Sequence, residues 1–265
     1  MPQKFVVQMN DTHPTSAVAE LMRLLIDQEG LTWEKAWALT KETLAFTNHT
    51  VMPEALEKWN INVYGQLLPR NMQIIERINE EWLAEMKPYV TRKLKEGGTL
   101  KPIEVEVIDP KTGKTVVEKK TPSVEEAIEN TLATQFAIIQ PNKWQPENIE
   151  VNMAYLAIVG SKFVNGVAAI HTEILKQDLF KQFYELWPEK FQNKTNGVTP
   201  RRWLAQCNEP LRKLITEQLG TPEWEKDLDK LRGLLAFADD KEFQGKWAEA
   251  KYQNKLRLAK YIKVW

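Results

Sequence analysis

The segment KFVNGVAAIHTEILKQDLF, residues 162–180, passes from a short apolar run through an Asn-Gly turn into a helical pattern. Asn165 and Gly166 stand where the pattern changes, and residues of this kind mark turns. The preceding stretch VNMAYLAIVGS, residues 151–161, is almost continuously apolar and predicts a buried strand. A strand that leads through a turn into a helix is the unit from which α/β proteins are built. The sequence therefore predicts an α/β fold.

The residues before this segment show the same alternation of extended and helical patterns. Phe5 to Met9 predict a short buried strand, and Thr15 or Ser16 is placed to cap the helix that follows. Apolar residues at spacings of three and four predict a long amphipathic helix from Arg70 to about Met86, with Pro69 at its start or at a kink. The first 96 residues therefore contribute both strands and helices to the predicted fold.

Residues 97–148 differ in character from their neighbours. Apolar and acidic residues alternate from Ile103 to Val107, and Asp109–Gly113 has the turn chemistry of a hairpin. Ser123 and Glu126 have the spacing of a capping box at a helix start. We interpret the block as an exposed excursion made of a hairpin and a helix.

The last part of the chain, after residue 198, is predicted to be mostly helical. Gly220 is placed to end one helix, and Thr221 with Pro222 has the order that favours the start of the next. The final segment, from about Lys241, still has a helical pattern at Trp265. Because the chain begins on a predicted strand and stops within a predicted helix, we expect it to be an internal part of a longer protein.

Composition restricts the classes of function. The 265 residues include 36 basic and 36 acidic side chains, and a formal net charge of zero argues against extensive binding to nucleic acid or to an anionic membrane. Cys207 is the single cysteine, which excludes an intrachain disulfide. No apolar run is long enough to span a bilayer, and the first residues lack the features of a secretory signal.

The common catalytic motifs are missing from the sequence. The three histidines, His13, His49 and His171, do not have metal-binding spacings, and one cysteine cannot complete a zinc site. No GxSxG, P-loop or GxGxxG motif occurs. Metal-dependent, serine-hydrolase and classical nucleotide-binding functions therefore have little support.

Four short polar clusters instead follow apolar runs: NDTHP (10–14), TNHT (47–50), VNGV (164–167) and NKTNGVTPRRW (193–203). The loops behind strand ends are where α/β proteins build their ligand sites. The side chains of Asn, His, Asp and Thr donate or accept hydrogen bonds in fixed directions and suit sugar hydroxyls. Four such clusters in one chain favour a carbohydrate site.

Each cluster also has a purely structural interpretation, which the residues leave open. The structural alternatives are that Asp11 caps the following helix, His49 is a core histidine, Asn165–Gly166 is a tight turn, and Arg201 and Arg202 lie on a solvated helix start. His171 lies on a predicted helix, and we interpret it as structural.

Long strings in the chain resemble α-glucan (glycogen/starch) phosphorylases. They are NDTHP with the following ELMR, TNHTVMPEALEKW, NMAYLAIVGSKFVNGVAAIHTEIL and FQNKTNGVTPRRWL. The resemblance covers nearly the whole chain apart from residues 97–148 and concerns a middle section of a longer enzyme. It assigns residues 1–96 and 149–197 to an N-terminal lobe, 97–148 to an insertion similar to that of plastid-type starch phosphorylases, and 198–265 to the first helices of a C-terminal lobe.

The resemblance implies a GT-B fold, in which two Rossmann-like lobes enclose the active site. The implied reaction is phosphorolysis, in which inorganic phosphate releases glucose 1-phosphate from an α-1,4-glucan with retention. Pyridoxal phosphate is the implied cofactor, and its phosphate group takes part in proton transfer. The family's enzymes are homodimers, so the implied partners are α-glucan, phosphate and a second subunit, in the cytoplasm or in a plastid.

The resemblance also implies roles for individual residues. His49 matches the catalytic histidine that binds the glucosyl 6-hydroxyl, and Asn196 matches an asparagine that holds the same hydroxyl. Asp11 and His13 match a polar pair on the anomeric side. The turn against the sugar corresponds to Asn165, Gly166 and Val167, and Trp203 matches a residue packed near the cofactor.

The sequence departs from the family pattern in one respect that bears on activity. None of its lysines lies in the motif that forms the Schiff base with pyridoxal phosphate. We therefore expect this chain alone to bind the cofactor poorly and not to turn over. The alternative from another class is a non-catalytic helical scaffold that binds partners through its Trp-rich faces, with residues 63–96 and 241–265 as the candidate surfaces.

Overall fold

A computed structural model describes residues 2–97, 103–108 and 115–263. The chain divides into two compact units, Met1–Asn196 and Gly197–Trp265. The lobe and insertion boundaries expected from the sequence stay a prediction. The predicted turn at Asp109–Gly113 lies outside the described residues.

The first unit combines short strands with helices. Its described strands are β1 Val7–Asn10, β2 Leu44–Thr47, β3 Lys58–Asn60, β4 Ile103–Ile108, β5 Thr115–Lys120, β6 Ile139–Pro141, β7 Ile149–Asn152, β8 Val164–Gly166 and β9 Phe191–Asn193. Its described α-helices are α1 Ser16–Arg23, α2 Trp33–Thr43, α3 Ile61–Leu67, α4 Pro69–Glu96, α5 Val124–Thr131, α6 Met153–Val159, α7 Ala169–Ile174 and α8 Lys181–Leu186. The mixture confirms the α/β class expected from the sequence.

The principal sheet has the strand order β1-β2-β8-β9, and its neighbours are all parallel. Asn10 pairs with Thr47, and Thr47 pairs with Asn165, so the ends of three strands lie in register. Because parallel strands point the same way, their carboxyl ends share one edge of the sheet. The loops after β1, β2 and β8 therefore leave the sheet side by side.

The remaining described strands form two smaller antiparallel sheets. One has the order β3-β7-β6, and the other is the pair β4-β5. The alternation of apolar and acidic residues from Ile103 to Val107 thus correctly predicts a hairpin strand.

The core of the first unit is built around the 28-residue helix α4. The helix starts at Pro69, as expected, but it continues beyond the predicted end near Met86 and includes Pro88 in its interior. Its buried side chains recur at helical spacing and are Asn71, Met72, Ile74, Ile75, Ile78, Trp82, Met86 and Val90. Packing along this stripe outweighs the cost of the internal proline.

The predicted strand at residues 151–161 is wrong for most of its length. Only residues up to Asn152 belong to β7, and Met153 to Val159 form α6. The Asn152 side chain accepts a hydrogen bond from the Tyr155 N–H at 3.1 Å and caps the helix. A segment that is buried all round shows no periodicity, so an apolar run alone does not separate strand from helix.

The exposed excursion predicted for residues 97–148 is also wrong for its helical part. The capping box of Ser123 and Glu126 is present, but α5 turns its apolar face inward. Ile128, Leu132 and Phe136 are buried within the principal core. One face of the segment from Val124 to Pro141 therefore packs into the core of this unit.

Two details near the N-terminus differ from expectation. Phe5 and Val6 lie outside β1 and are 55% and 67% exposed. Within the strand, Met9 is the buried apolar residue. Thr15 stands at the N-cap position of α1, but its hydroxyl makes no capping bond. Apolar composition indicated the strand correctly but placed its start too early.

The second unit contains α9 Glu209–Leu219, α10 Lys241–Ile262 and a 3₁₀ segment, Leu228–Phe237. Its small core holds Trp224, which is fully buried and donates a hydrogen bond to the Thr216 hydroxyl at 3.0 Å. Gly220 ends α9 with a φ of 68°, which confirms its predicted role. No helix among the described residues has the length and apolarity needed to cross a membrane.

Candidate functional site

Backbone hydrogen bonds join the loops that leave the carboxyl edge of the principal sheet. The Asp11 N–H donates to the Thr47 carbonyl at 2.8 Å, and the Asn48 N–H donates to the Asn165 carbonyl at 3.0 Å. The Asn196 N–H donates to the carbonyl of Val167 at 2.9 Å. Three of the polar clusters and the first residues of the fourth therefore form one continuous backbone surface.

His49 lies on this surface with its side chain exposed. Its Nε2 atom lies 2.5 Å from the side-chain oxygen of Asn10, the last residue of β1. An amide oxygen only accepts, so Nε2 must carry the hydrogen of this bond. The interaction fixes the ring orientation and leaves Nδ1 for another partner. The core-histidine interpretation of His49 is therefore wrong.

Asp11 has a positive φ of 65°, which is uncommon for a residue other than glycine. Its Oδ1 accepts a hydrogen bond from the Thr12 N–H at 2.8 Å, so the carboxylate stabilises its own turn and does not cap α1. The Thr12 hydroxyl is held in turn by Glu57 Oε2 at 2.7 Å. His13, two residues after Asp11, is exposed.

Asn165 contributes a buried polar atom without a protein partner. Its Nδ2 donates to the Thr47 hydroxyl at 3.4 Å, while its Oδ1 is buried and has no hydrogen bond within the described residues. The Nδ2 of the buried Asn48 is in the same state. A buried donor or acceptor without a partner costs free energy, so both amides call for a bound water or ligand group.

Gly166 is required by packing against α7. A Cβ at this position would lie 2.2 Å from the Thr172 hydroxyl and 2.9 Å from the Thr172 Cα. The amide of the next residue, Val167, donates to His171 Nδ1 at 3.0 Å and so is already satisfied. Close packing of the loop on α7 therefore accounts for the glycine at this position.

The fourth cluster is shared between the two units. Asn196 is exposed and closes the first unit, whereas Trp203 belongs to the second, where it is 63% exposed. Arg201 and Arg202 are also exposed, in agreement with their structural alternative, and Arg201 Nη1 donates to the Glu225 carbonyl at 3.4 Å. Hydrogen bonds of the first unit thus join the loops that carry Asp11, His49, Asn165 and Asn196, whereas Trp203 belongs to the second unit.

Sequence reasoning overlooked Asn10 and His171 as members of this assembly. Asn10 was part of a recognised cluster, and its position at the strand end was the signal that its side chain could reach the next loop. His171 follows Val167 by four residues at the start of a helix, which is the spacing for a bond back to the turn. The residue is only 8% exposed.

Comparison with known proteins gives a consistent result over the full length. The sequence profile of the carbohydrate phosphorylase family matches residues 1–114 and 104–264. The chain belongs to this family. Among its relatives, alpha-glucan phosphorylase 1 of Arabidopsis thaliana is 46% identical over 99% of the chain and 29% of its own length.

Two further phosphorylases show the same relation. The chloroplastic/amyloplastic alpha-1,4 glucan phosphorylase L-1 isozyme of Solanum tuberosum is 40% identical over 99% of the chain and 31% of its own length. The cytosolic alpha-glucan phosphorylase 2 of Arabidopsis thaliana is 44% identical over 98% of the chain and 26% of its own length. The chain thus spans less than a third of these phosphorylases, and their names include both plastid and cytosolic forms.

Family membership also accounts for the architecture. The parallel sheet with helices around it is consistent with part of the GT-B fold of the phosphorylases, as the sequence resemblance implied. The carboxyl edge of such a sheet is the usual place for ligand binding in an α/β lobe. The predicted family is therefore confirmed by the comparisons.

Proposed function

We propose that this chain supplies the glucan-binding loops of an α-1,4-glucan phosphorylase. In the proposed reaction inorganic phosphate cleaves the terminal glucose from the glucan. The products are glucose 1-phosphate, with the anomeric configuration retained, and a glucan one unit shorter. The observation that carries the proposal is the hydrogen-bonded convergence of the loops bearing His49, Asn165 and Asn196. The names of the relatives support the choice of an α-glucan as substrate.

The hydrogen bonds of His49 suit the recognition of a sugar hydroxyl. Because Nε2 donates to Asn10 Oδ1, the neutral ring offers Nδ1 as an acceptor, and a hydroxyl group is a donor of matching strength. In the proposal this hydroxyl is the 6-hydroxyl of the terminal glucose, which Asn196 holds as well. Two side chains on one hydroxyl would fix the rotation of the sugar ring before attack.

The unpartnered amide atoms add a second argument. Asn165 Oδ1 needs a donor, which a sugar hydroxyl or an ordered water supplies, and Nδ2 of the fully buried Asn48 needs an acceptor, which an ordered water supplies. Asp11 and His13 would line the anomeric side, with Gly166 and Val167 as the wall of the pocket. Positive charge develops at the anomeric carbon during the reaction, and fixed dipoles and the Asp11 carboxylate would stabilise it.

Lys190 is not placed to attach pyridoxal phosphate at the candidate site. Burial and the nearby positive charge of Lys41 lower the pKa of Lys190 to about 7. It immediately precedes β9 and therefore lies at the amino edge of the sheet, opposite to His49 and Asn165. We propose pyridoxal phosphate as the cofactor of the whole enzyme, with Trp203 as this chain's contribution to its pocket.

The proposed partners are α-glucan, inorganic phosphate and, for the whole enzyme, a second subunit. The location is proposed to be cytoplasmic or plastidic, as in the named relatives. The scaffold alternative assigns no role to the polar loops at the sheet edge, whereas an enzyme of this family does. Family membership therefore favours the enzyme.

The proposal is tested by titrating the chain with an α-linked and a β-linked oligosaccharide. Maltoheptaose is expected to bind saturably and to shift the NMR amide signals of residues 47–50 and 165–167, and cellohexaose is expected not to. His49→Ala and Asn165→Ala should weaken binding, and the control Asn148→Ala, half-buried in the loop before β7, should not. Absence of saturable binding, or equal binding of the β-linked sugar, would refute the proposal.

A further inference from the structure

His171 bridges two backbone groups that belong to different loops of the candidate site. Its Nδ1 accepts a hydrogen bond from the Val167 N–H at 3.0 Å, and its Nε2 lies 3.0 Å from the carbonyl oxygen of Thr50. His171 is only 8% exposed and lies in the first turn of α7. The imidazole thus spans the gap between the loop after β2 and the loop after β8.

The two partners determine the protonation of the ring. A backbone N–H only donates, so Nδ1 must present its lone pair to Val167, and a carbonyl only accepts, so Nε2 must carry the hydrogen for Thr50. The neutral Nε2–H tautomer is the one form that satisfies both bonds. No other common side chain offers an acceptor and a donor in this fixed geometry on a planar ring.

The bridged groups lie next to the candidate site residues along the chain. Thr50 follows His49 directly, and Val167 is the residue whose carbonyl accepts from the Asn196 N–H. The same two loops are also joined by the bond from the Asn48 N–H to the Asn165 carbonyl. The ring extends the contact between the two loops beyond this bond and the β2–β8 ladder, by two residues on each side, to Thr50 and Val167.

We propose that His171 is a positioning residue that holds His49 and Asn196 at a fixed separation through Thr50 and Val167. The claim that His171 affects sugar binding rests on the proposed function. The claim that it holds the two loops together does not. The ring itself is enclosed by the two loops and α7, so it acts through their backbone and does not contact the sugar. A buried histidine that only fills space would lack the two opposed hydrogen bonds to site loops.

The two arms of the bridge can be removed separately. In His171→Asn, the asparagine Oδ1 occupies the position of the histidine Nδ1. This variant therefore keeps an acceptor for the Val167 N–H and loses the donor to the Thr50 carbonyl. The amide of His171→Gln reaches the place of Nε2 and keeps the donor while it loses the acceptor. His171→Phe keeps an aromatic ring at this position and loses both hydrogen bonds. Glu173→Gln, an exposed position on α7, is the matched control.

The first measurement requires no ligand. In the chain labelled with ¹⁵N-histidine, the His171 signals are expected to show a bare Nδ1 and a protonated Nε2. Hydrogen exchange of the Asn48 and Asn196 amides, which do not touch the ring, is expected to accelerate about tenfold or more in His171→Phe. His171→Asn and His171→Gln should give intermediate rates, and Glu173→Gln should match the original chain. The opposite tautomer, or unchanged exchange at Asn48 and Asn196, would overturn the proposal.

The second measurement connects the bridge to the sugar. Maltoheptaose affinity of the folded chain is expected to fall about tenfold in His171→Phe and to recover in part in His171→Asn or His171→Gln. Unchanged affinity in a folded His171→Phe would refute the positioning role. If the original chain binds no maltoheptaose, the proposed function fails, and the hydrogen-exchange result decides the bridge by itself.

Discussion

The Nε2 atom of His49 lies 2.5 Å from the side-chain oxygen of Asn10, although the two residues are 39 positions apart in the sequence. The contact exists because β1 and β2 are parallel neighbours that end in register, at Asn10 and Thr47. It converts an exposed and otherwise mobile imidazole into a group of defined orientation. The contact is the clearest link between the sheet topology and the proposed sugar site.

Removal of the Asn10 oxygen is therefore expected to release the His49 ring. In Asn10→Ala, the ¹⁵N signals of His49 should change from one defined tautomer towards the mixture of free histidine. Asn10→Asp, which keeps an acceptor at the same place, should preserve the Nε2–H form. Maltoheptaose affinity should weaken in the first variant and recover in the second. A His49 tautomer that is identical in all three proteins would contradict the role assigned to Asn10.

Gly166 provides a test of the packing between the β8 loop and α7. Gly166→Ala would place a methyl group against the backbone and hydroxyl of Thr172, and we expect a loss of about 1–3 kcal/mol in the free energy of unfolding, or more. The matched control is Gly197→Ala, where no atom lies within 4 Å of an added Cβ. Urea denaturation followed by circular dichroism measures both. Equal effects of the two substitutions would show that the contact with Thr172 is unimportant.

Trp82 tests whether residues 124–141 belong to the core. Its indole N–H donates to the carbonyl of Phe136 at 2.9 Å in a buried setting. Trp82→Phe should lower the free energy of unfolding by about 1–3 kcal/mol, because that carbonyl loses its donor. Trp144→Phe, at a site that is 83% exposed, should have little effect. If residues 124–141 were a detachable excursion, Trp82→Phe would leave their hydrogen exchange unchanged.

Lys190 should make the stability of the first unit rise with pH above neutrality. Burial and the nearby positive charge of Lys41 lower its pKa from 10.5 to about 7, and its Nζ donates to the Ile158 carbonyl at 2.8 Å. Between pH 7 and 10.5 the unfolded chain holds a proton that the folded chain has lost, so this group makes unfolding harder as the pH increases. Below pH 7 both states are protonated and its contribution is constant.

The Lys190→Met variant is expected to remove this dependence. At pH 7 it relieves a desolvation cost of at most roughly 4 kcal/mol, at about 1.4 kcal/mol for each pKa unit, less the lost bond to Ile158. Lys194→Met, on the exposed loop after β9, is the control. Denaturation midpoints at pH 7 and pH 9.5 measure the effect. A slope with pH that persists in Lys190→Met would exclude Lys190 as its source.

The elements predicted best were those whose chemistry is local. The capping box of Ser123 and Glu126, the start of α4 at Pro69 and the end of α9 at Gly220 depend on residues within one turn of the chain. The α6 segment was missed because its side chains are buried on all sides, and the inward face of α5 was missed because its partners lie on α4, which is remote in sequence. Tertiary packing decided both cases.

In the candidate site, too, local features could be recognised from the sequence and long-range contacts could not. The polar clusters at strand ends could be recognised from the sequence, and their neighbourhood followed once the strands were parallel. The partner of His49 and the bridge formed by His171 could not be recognised, because each depends on which strands are adjacent and on their register. Register is set by long-range packing, and a single sequence carries little information about it.

The helix α4 has 28 residues and is about 42 Å long. It contacts both α1 and the segment around Phe136. Near its start Asn71 donates a hydrogen bond to Glu20 on α1, and three turns later Trp82 donates to the Phe136 carbonyl. A rod held at both places cannot shift at one without loosening the other. The α1 region and the segment around Phe136 should consequently melt as a single cooperative block rather than fraying from the periphery inward.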